Sequence, residues 1–403
     1  MLLRLGRQAV PGQPAGGPLF LIALSILMCF GPMAVDMYLP ALPTIGTTFH
    51  ARQDQVQWSL SAFFLGFGVG QLFWGSISDA LGRRWPGVAG ILIYVAACIG
   101  CCFAGSITQL AEWRFLQALG ACAGPVVARA MVGDLFSRDR SASILSLLML
   151  IMGVAPMMAP LVGGQILMIG GWRSIFLTQA AFGAVATIGL FSLPETLSEE
   201  RRSPARLFDM LSTYVFLLRN RRFLGYALST SLMFAGMFTF ISGSPFVYID
   251  LYGVHPENYG YLFGVNIVGM MLVNTINRSL VMRVGIDRAL RVGCIAAAAT
   301  GILLLAAALT GAGGLAGLVA GIILFMSTVS MIGANGSAGA MGVHPQAAGA
   351  ASALAGLLQF GGGAIAGLAV GWLANGTAIP LAAIMAASGI LTLLVNILLL
   401  RRQ

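Results

Sequence analysis

Asp36 is the residue in this chain best placed to do chemistry, because it is an acid closing an apolar run that begins near Pro18 and is long enough to cross a bilayer. Holding an ionised side chain at membrane depth costs at least about 3 kcal/mol, so such groups face a bundle interior or an aqueous cavity. A carboxylate there can gain and lose a proton as its surroundings change. Arg114 is its natural counterpart. It lies about 9 Å below the outer end of the predicted fourth span, and Asp36 about 26 Å above the inner end of the first. In a core about 30 Å thick these depths nearly coincide, so Asp36 and Arg114 are the expected proton-coupling pair. Arg129 is a further charge within a span. Gln117, Asn266, Asn335 and Gln359 would each leave unpaired groups in lipid and are expected to face inward, as substrate contacts or as glue between helices. Met33, Tyr38, Met152, Phe234 and Phe238 complete the expected substrate pocket, since methionine and aromatic rings repack around different shapes.

Other chemistries find no support. The three histidines, His50, His255 and His344, lie in loops or at span ends, without an H-E-x-x-H or a serine partner, so neither a metal site nor an enzyme is expected. Cys29, Cys98, Cys101, Cys102, Cys122 and Cys294 all fall in apolar runs. The C-x-x-C at Cys98 and Cys101 lacks the second pair or strand context of a redox or zinc motif. Gly66-x-Gly68-x-Gly70 follows no strand and reads as close helix packing rather than a nucleotide loop. No cofactor is therefore expected, and the proton gradient is the expected energy source.

These residues must be positioned by helices in a membrane. Of 403 residues, 58% are hydrophobic and 9% charged, far from the balance of a soluble domain. At about 20 apolar residues per span, the chain predicts helices near 19–42, 56–77, 85–105, 108–132, 141–169 and 173–193, then 223–249, 258–282, 289–309, 314–341, 347–374 and 378–400. The expected organisation is an N-terminal six-helix bundle over 1–194, a hydrophilic linker over 195–222 and a C-terminal six-helix bundle over 223–403. Residues 1–18 read as a flexible leader before a retained first helix, not as a cleaved signal peptide. All 22 basic residues are arginine and give a net charge of +9. Apart from Arg114 and Arg129 they lie in or beside the connections between spans, mostly on one side, which is an orientation signal and not a nucleic-acid surface. Both termini and the linker are expected to be cytoplasmic, in a multi-pass protein that works as a monomer in the lipid bilayer.

Six stretches narrow the reading. Gly75-Ser76-Ile77-Ser78-Asp79-Ala80-Leu81-Gly82-Arg83-Arg84 joins spans two and three, and its G-x-x-x-D-x-x-G-R-R spacing resembles the major facilitator superfamily. The resemblance implies twelve helices in two bundles and a cytoplasmic gate of Asp79, Arg83 and Arg84, joined here by Asp134. In the family the acid meets the N-terminal end of helix eleven. Ala80 stands where the family usually has arginine. Leu110 to Gly120 resembles the family's fourth-helix motif, with its arginine at Arg114 and its glutamine at Gln117, and Ala118 in place of a glycine. Gly153 to Gly164 resembles the fifth-helix motif of antiporters, with Ala159 replacing a glycine. Asp36 to Pro43, Val127 to Leu135 and Phe234 to Ile249 are similar to the Bcr/CflA drug-efflux branch, although Gly133 stands where that branch often has a second arginine. The resemblance implies a proton-coupled exporter of the bacterial inner membrane, acting on bicyclomycin-type and other small antibiotics. The alternative is a symporter or exporter of a small metabolite such as an amino acid or dipeptide. A weak echo between the halves, Leu81-Gly82-Arg83-Arg84 against Met282 to Arg288, fits a site between related repeats.

Overall fold

The computed structural model describes residues 17–202 and 207–400, so the expected leader lies outside the described residues up to position 16. Every regular element among the described residues is a helix. The first span comes in pieces, α1 (Pro18–Met28), α2 (Phe30–Val35) and α3 (Leu42–Phe49). It bends by 46° between Leu19–Met28 and Phe30–Phe49. Pro32 lies just past the break, as expected of a residue that removes a helix donor. The turn Leu39–Ala41 links α2 to α3, so the span expected over 19–42 is broken twice and runs seven residues further.

Next come α4 (Gln53–Leu81), α5 (Arg84–Cys102), α6 (Ile107–Leu135) and α7 (Arg138–Ser192). Within α7, Gly171 adopts φ 73 and ψ 178, a conformation only glycine holds without strain. The chain therefore reverses there, and α7 is two spans. The linker holds α8 (Leu207–Arg219), an amphipathic helix where the sequence predicts only a polar connection. The second half is α9 (Arg221–Pro245) with a π-helical turn over Phe246–Leu251, α10 (Pro256–Val284), α11 (Ile286–Thr310), α12 (Gly314–Val343), α13 (Ala348–Trp372) and α14 (Ile379–Leu399). Among the described residues ten single helices are long and apolar enough to cross a membrane. Counting the bent first span and both limbs of α7, the spans number twelve, arranged as two six-helix bundles.

The internal echo is visible in the backbone. Gly82 ends α4 at φ 93 and ψ 172, and Gly285 ends α10 at φ 81 and ψ 168. Both loops lie on the face that carries residues 17 and 400, called here the termini face. At the opposite, far face the bundles touch along two lines. On one, a methyl at Gly371 of α13 would meet the Asp54 Cα of α4 at 2.9 Å, and one at Gly68 would meet Phe360 Cβ at 3.2 Å. On the other, Gly164 of α7 faces the Pro256 carbonyl of α10, and Gly153 faces Met271. Nearer the termini face Gly75 has open space around it, and Ile276 and Met282 of α10 are exposed. The bundles thus close at the far face and part at the termini face.

Candidate functional site

Arg114 lies two turns into α6, whose start is capped by Ser106 accepting from the Gln109 amide at 3.2 Å. Its side chain is fully buried. Nη1 donates to the Ala34 carbonyl at 2.8 Å and to Gln117 Oε1 at 2.6 Å, while the guanidinium sits 4.4 Å from the ring centres of both Tyr38 and Phe63. These ring faces replace part of the lost hydration of the cation. Gln117 also donates to Gln179 Oε1 at 2.7 Å, and Gln179 donates to the Met33 carbonyl at 2.9 Å. Tyr38 is buried, with its hydroxyl 2.8 Å from Ser59 Oγ. Arg114, Gln117 and Tyr38 therefore form one network that pins the first span where its helix breaks. Two of the three expected substrate contacts in this region, Gln117 and Tyr38, are supports behind the site. The third, Met33, is half-buried.

Asp36 follows α2 directly and is 5% exposed. The structure does not bring it to Arg114: among the described residues its carboxylate forms no ion pair, although Arg114 binds the carbonyl two residues before it. Depth along two helices says nothing about the direction each side chain takes around its axis. The adjoining Leu39–Ala41 turn packs on α7, α9 and α10. Asp36 thus stands in the seam between the bundles.

Helix α7 makes that seam possible. A methyl at Gly163 would overlap the Met37 carbonyl, and one at Gly164 would lie 2.7 Å from the Pro256 carbonyl of the other bundle. The small residues of the fifth-span motif therefore serve two partners at once, as close helix approach requires.

Below the seam the bundles interlock through rings. Phe64 of α4 lies 4.2 Å from Phe238 of α9, and Phe67 lies 4.6 Å from Phe360 of α13, with Phe238 and Phe360 5.3 Å apart. Phe238, an expected pocket residue, is in this layer, with Phe234 at its edge. Phe63, Phe64, Phe67 and Phe360 carry no sequence signal, because a phenylalanine in a uniformly apolar span looks like any other. Met152 is half-buried on α7. Among the amides, Asn335 pairs reciprocally with Asn277, at 2.9 and 3.4 Å, and is interhelical glue. Asn266 spends its NH2 on the Leu262 and Phe263 carbonyls and leaves Oδ1 buried and unpaired. Gln359 is half-buried with no side-chain hydrogen bond among the described residues.

The charged cluster at the termini face is assembled as its spacing implies, within the first bundle. Arg83 donates to Asp134 at 2.8 Å through Nε, to Ser78 at 3.0 Å and to Asp79. Burial would pull the guanidinium down from its ordinary range, but the bonds and charges of Asp134 and Asp79 outweigh it and hold it above. Arg84 donates to the Phe191 carbonyl at 2.8 Å. Glu195, which sequence reasoning passes over as the start of the linker, accepts from the backbone amides of Arg83 and Arg84 at 2.8 and 3.0 Å. Its Oε2 would lie 2.7 Å from any Cβ added at Gly82, so the turn and its acid are one unit. Among the described residues Asp79 forms no hydrogen bond or ion pair with α13, and the expected latch to helix eleven is unmade in this state. Asp134→Asn leaves Arg83 half-paired and should cost about 1–3 kcal/mol of stability, the range for a charge-assisted bond lost at a buried site. A drop in the unfolding midpoint of the purified protein checks this.

Comparison with known proteins agrees with the architecture. The model of the Major Facilitator Superfamily matches residues 24–367. An uncharacterized MFS-type transporter, YdgK, of Bacillus subtilis is 38% identical over 374 residues, covering 90% of each chain. A bicyclomycin resistance protein homolog of Haemophilus influenzae is 32% identical over 386 residues, covering 96% of this chain and 97% of that one. Among solved structures, the inward open conformation of the Escherichia coli xylose transporter XylE superposes with a TM-score of 0.73 at 14% identity, over 96% of this chain and 97% of that one. That likeness speaks for the fold alone. With twelve spans in two bundles, the superfamily's loop motif present but for Ala80, and relatives matched over 90% or more of their length, this chain belongs to the Major Facilitator Superfamily and is a multi-pass membrane transporter.

Proposed function

We propose that the protein is a proton-coupled drug exporter of the bacterial inner membrane, with both termini in the cytoplasm and small antibiotics, bicyclomycin-type molecules among them, as substrates. One observation carries the reading: Asp36 is buried beside the closed seam between the bundles and forms no ion pair among the described residues. Closing low-dielectric protein over an unpaired charge is costly. A proton on Asp36 removes that cost, so protonation and far-face closure go together. Opened to the acidic exterior, Asp36 takes a proton and the seam closes. In the state open to the cytoplasm the proton stays on Asp36 until drug, entering between the aromatic layer and the half-buried Met33, Met152 and Phe234, displaces it. Each charge moved inward supplies roughly 2.3 kcal/mol per 100 mV of potential. The antiporter-type fifth span and the relatives named for bicyclomycin and multidrug resistance support export.

Drug binding in weak buffer is the test. Purified wild-type protein should release protons when bicyclomycin binds, by linkage between the two sites. Drug binding with no proton exchange at any pH between 5 and 9 would contradict coupling through a shared site. Reporter fusions check orientation: a C-terminal fusion should be active only with a cytoplasmic reporter, as the arginine distribution requires.

A further inference from the structure

Arg129 is a charge that the coupling site does not use. It lies six residues before the end of α6 at Leu135, about 9 Å inside the helix. An arginine at that depth usually bends its stem toward the nearest water. This one runs the other way. Its Nε donates at 3.0 Å to the Pro125 carbonyl, one turn deeper, following the lean of helical side chains toward the helix N-terminus. For α6 that is the far face. Among the described residues it forms no ion pair and no other hydrogen bond, yet it is exposed.

At such depth a side chain is exposed either to hydrocarbon or to the space between the bundles, and the helix register decides. At about 100° per residue, Arg129 lies about 60° around α6 from the inward-facing Arg114, and about 140° from Leu116, which is 40% exposed. It shares its side of α6 with Cys122, which packs on Gly70 of α4. Past that contact the bundles part, so Arg129 looks into the opening at the termini face. Four of its five N–H donors remain unspent. Arg114, by contrast, is held by a carbonyl, an amide and two rings. When Asp36 carries a proton, the charges set deepest in the described spans of the first bundle are Arg114, Arg129 and, toward the far end of α6, Glu112, so no deep acid stands at the termini-face end to pair with Arg129.

We propose that Arg129 recognises a carboxylate on the transported solute, so that the substrates include weak organic acids as well as neutral drugs. The guanidinium fork matches a carboxylate in two parallel bonds. This rests on the transport reading and adds a substrate class to it. A lipid phosphate is the other anion within reach of an arginine near a membrane surface, but the side chain leans away from the headgroups.

The test uses the full chain in phosphatidylcholine nanodiscs, with fluorescent anthranilate and its neutral counterpart anthranilamide as probes. Wild-type protein should bind the acid at least about tenfold more tightly than the amide, the scale of one charge-assisted pair. Arg129→Gln should bind the two alike, and Arg129→Lys should keep part of the preference. An unchanged unfolding midpoint in Arg129→Gln shows that the fold survives. Equal affinity of wild type for acid and amide, or an undiminished acid preference in Arg129→Gln, overturns the proposal. So does a preference that appears only when anionic lipid is added, which would assign Arg129 to headgroups. Export of an uncharged drug by the wild type on a pH gradient is scored separately, so the transport reading stands or falls on its own result.

Discussion

Asp36→Asn is expected to abolish transport driven by a pH gradient while leaving drug binding measurable. The amide fills the volume of the acid, so the seam that buries Asp36 at 5% exposure still closes. What is lost is the change of charge. A transporter that no longer moves one charge forfeits roughly 2.3 kcal/mol per 100 mV, about 50-fold in the drug gradient it can sustain. Drug binding to Asp36→Asn should also proceed without proton release. Asp36→Glu keeps the acid but adds a methylene in a packed seam, and partial transport is expected. Uptake and binding of labelled drug, measured side by side with the wild type at equal protein levels, check both variants.

The second large effect is expected at Gly164. A side chain there meets the Pro256 carbonyl and Glu257 Cα of the opposite bundle at 2.7 and 3.0 Å. Backbone cannot yield as a flexible side chain can, so Gly164→Val should hold the far face open with little effect on either bundle. Gln57 reports the change, because it is buried in this state and donates across the seam to the Ser242 carbonyl at 3.2 Å. In a background without other cysteines, Gln57→Cys should react with a membrane-impermeant maleimide at least about tenfold faster when Gly164→Val is present, a shift of about 1.4 kcal/mol in the closing equilibrium. Transport should fall in parallel. Gly163→Val should behave differently: its clash is with Met37 of its own bundle, so about 1–3 kcal/mol of stability is lost through overpacking. Equal labelling rates with and without Gly164→Val would remove this contact from the gate.

The spans were legible because length and hydropathy alone identify a helix that must satisfy its own backbone in lipid. Their breaks were less so. Gly171 turns α7 back within a run the sequence divides correctly between 169 and 173, whereas the second break of the first span, after Val35, has no hydropathy signal. Helix α8 escaped notice because its neighbourhood is rich in arginine and glutamate, which masks the apolar side of a short amphipathic helix. At the site, charged residues were the readable part: Asp36, Arg114, Arg83 and Asp134 stand out against an apolar background, and three of the four sit in one of the networks described above. Periodicity gives little direction in spans that are apolar all round. That is why the seating of the Leu39–Ala41 turn against α7, α9 and α10, the Phe63 to Phe360 layer, and the pairing of Asn335 with Asn277 are visible only in three dimensions.

The most direct measurement of the central claim is drug flux in inverted membrane vesicles, whose interior corresponds to the outside of the cell. Acidifying the interior should drive labelled bicyclomycin inward in vesicles carrying the wild-type chain, and collapsing the gradient with an uncoupler should release it. Vesicles carrying Asp36→Asn should show neither. Accumulation that requires an alkaline interior would identify a symporter, and gradient-driven accumulation by Asp36→Asn at the wild-type level would contradict the assignment of proton coupling to Asp36.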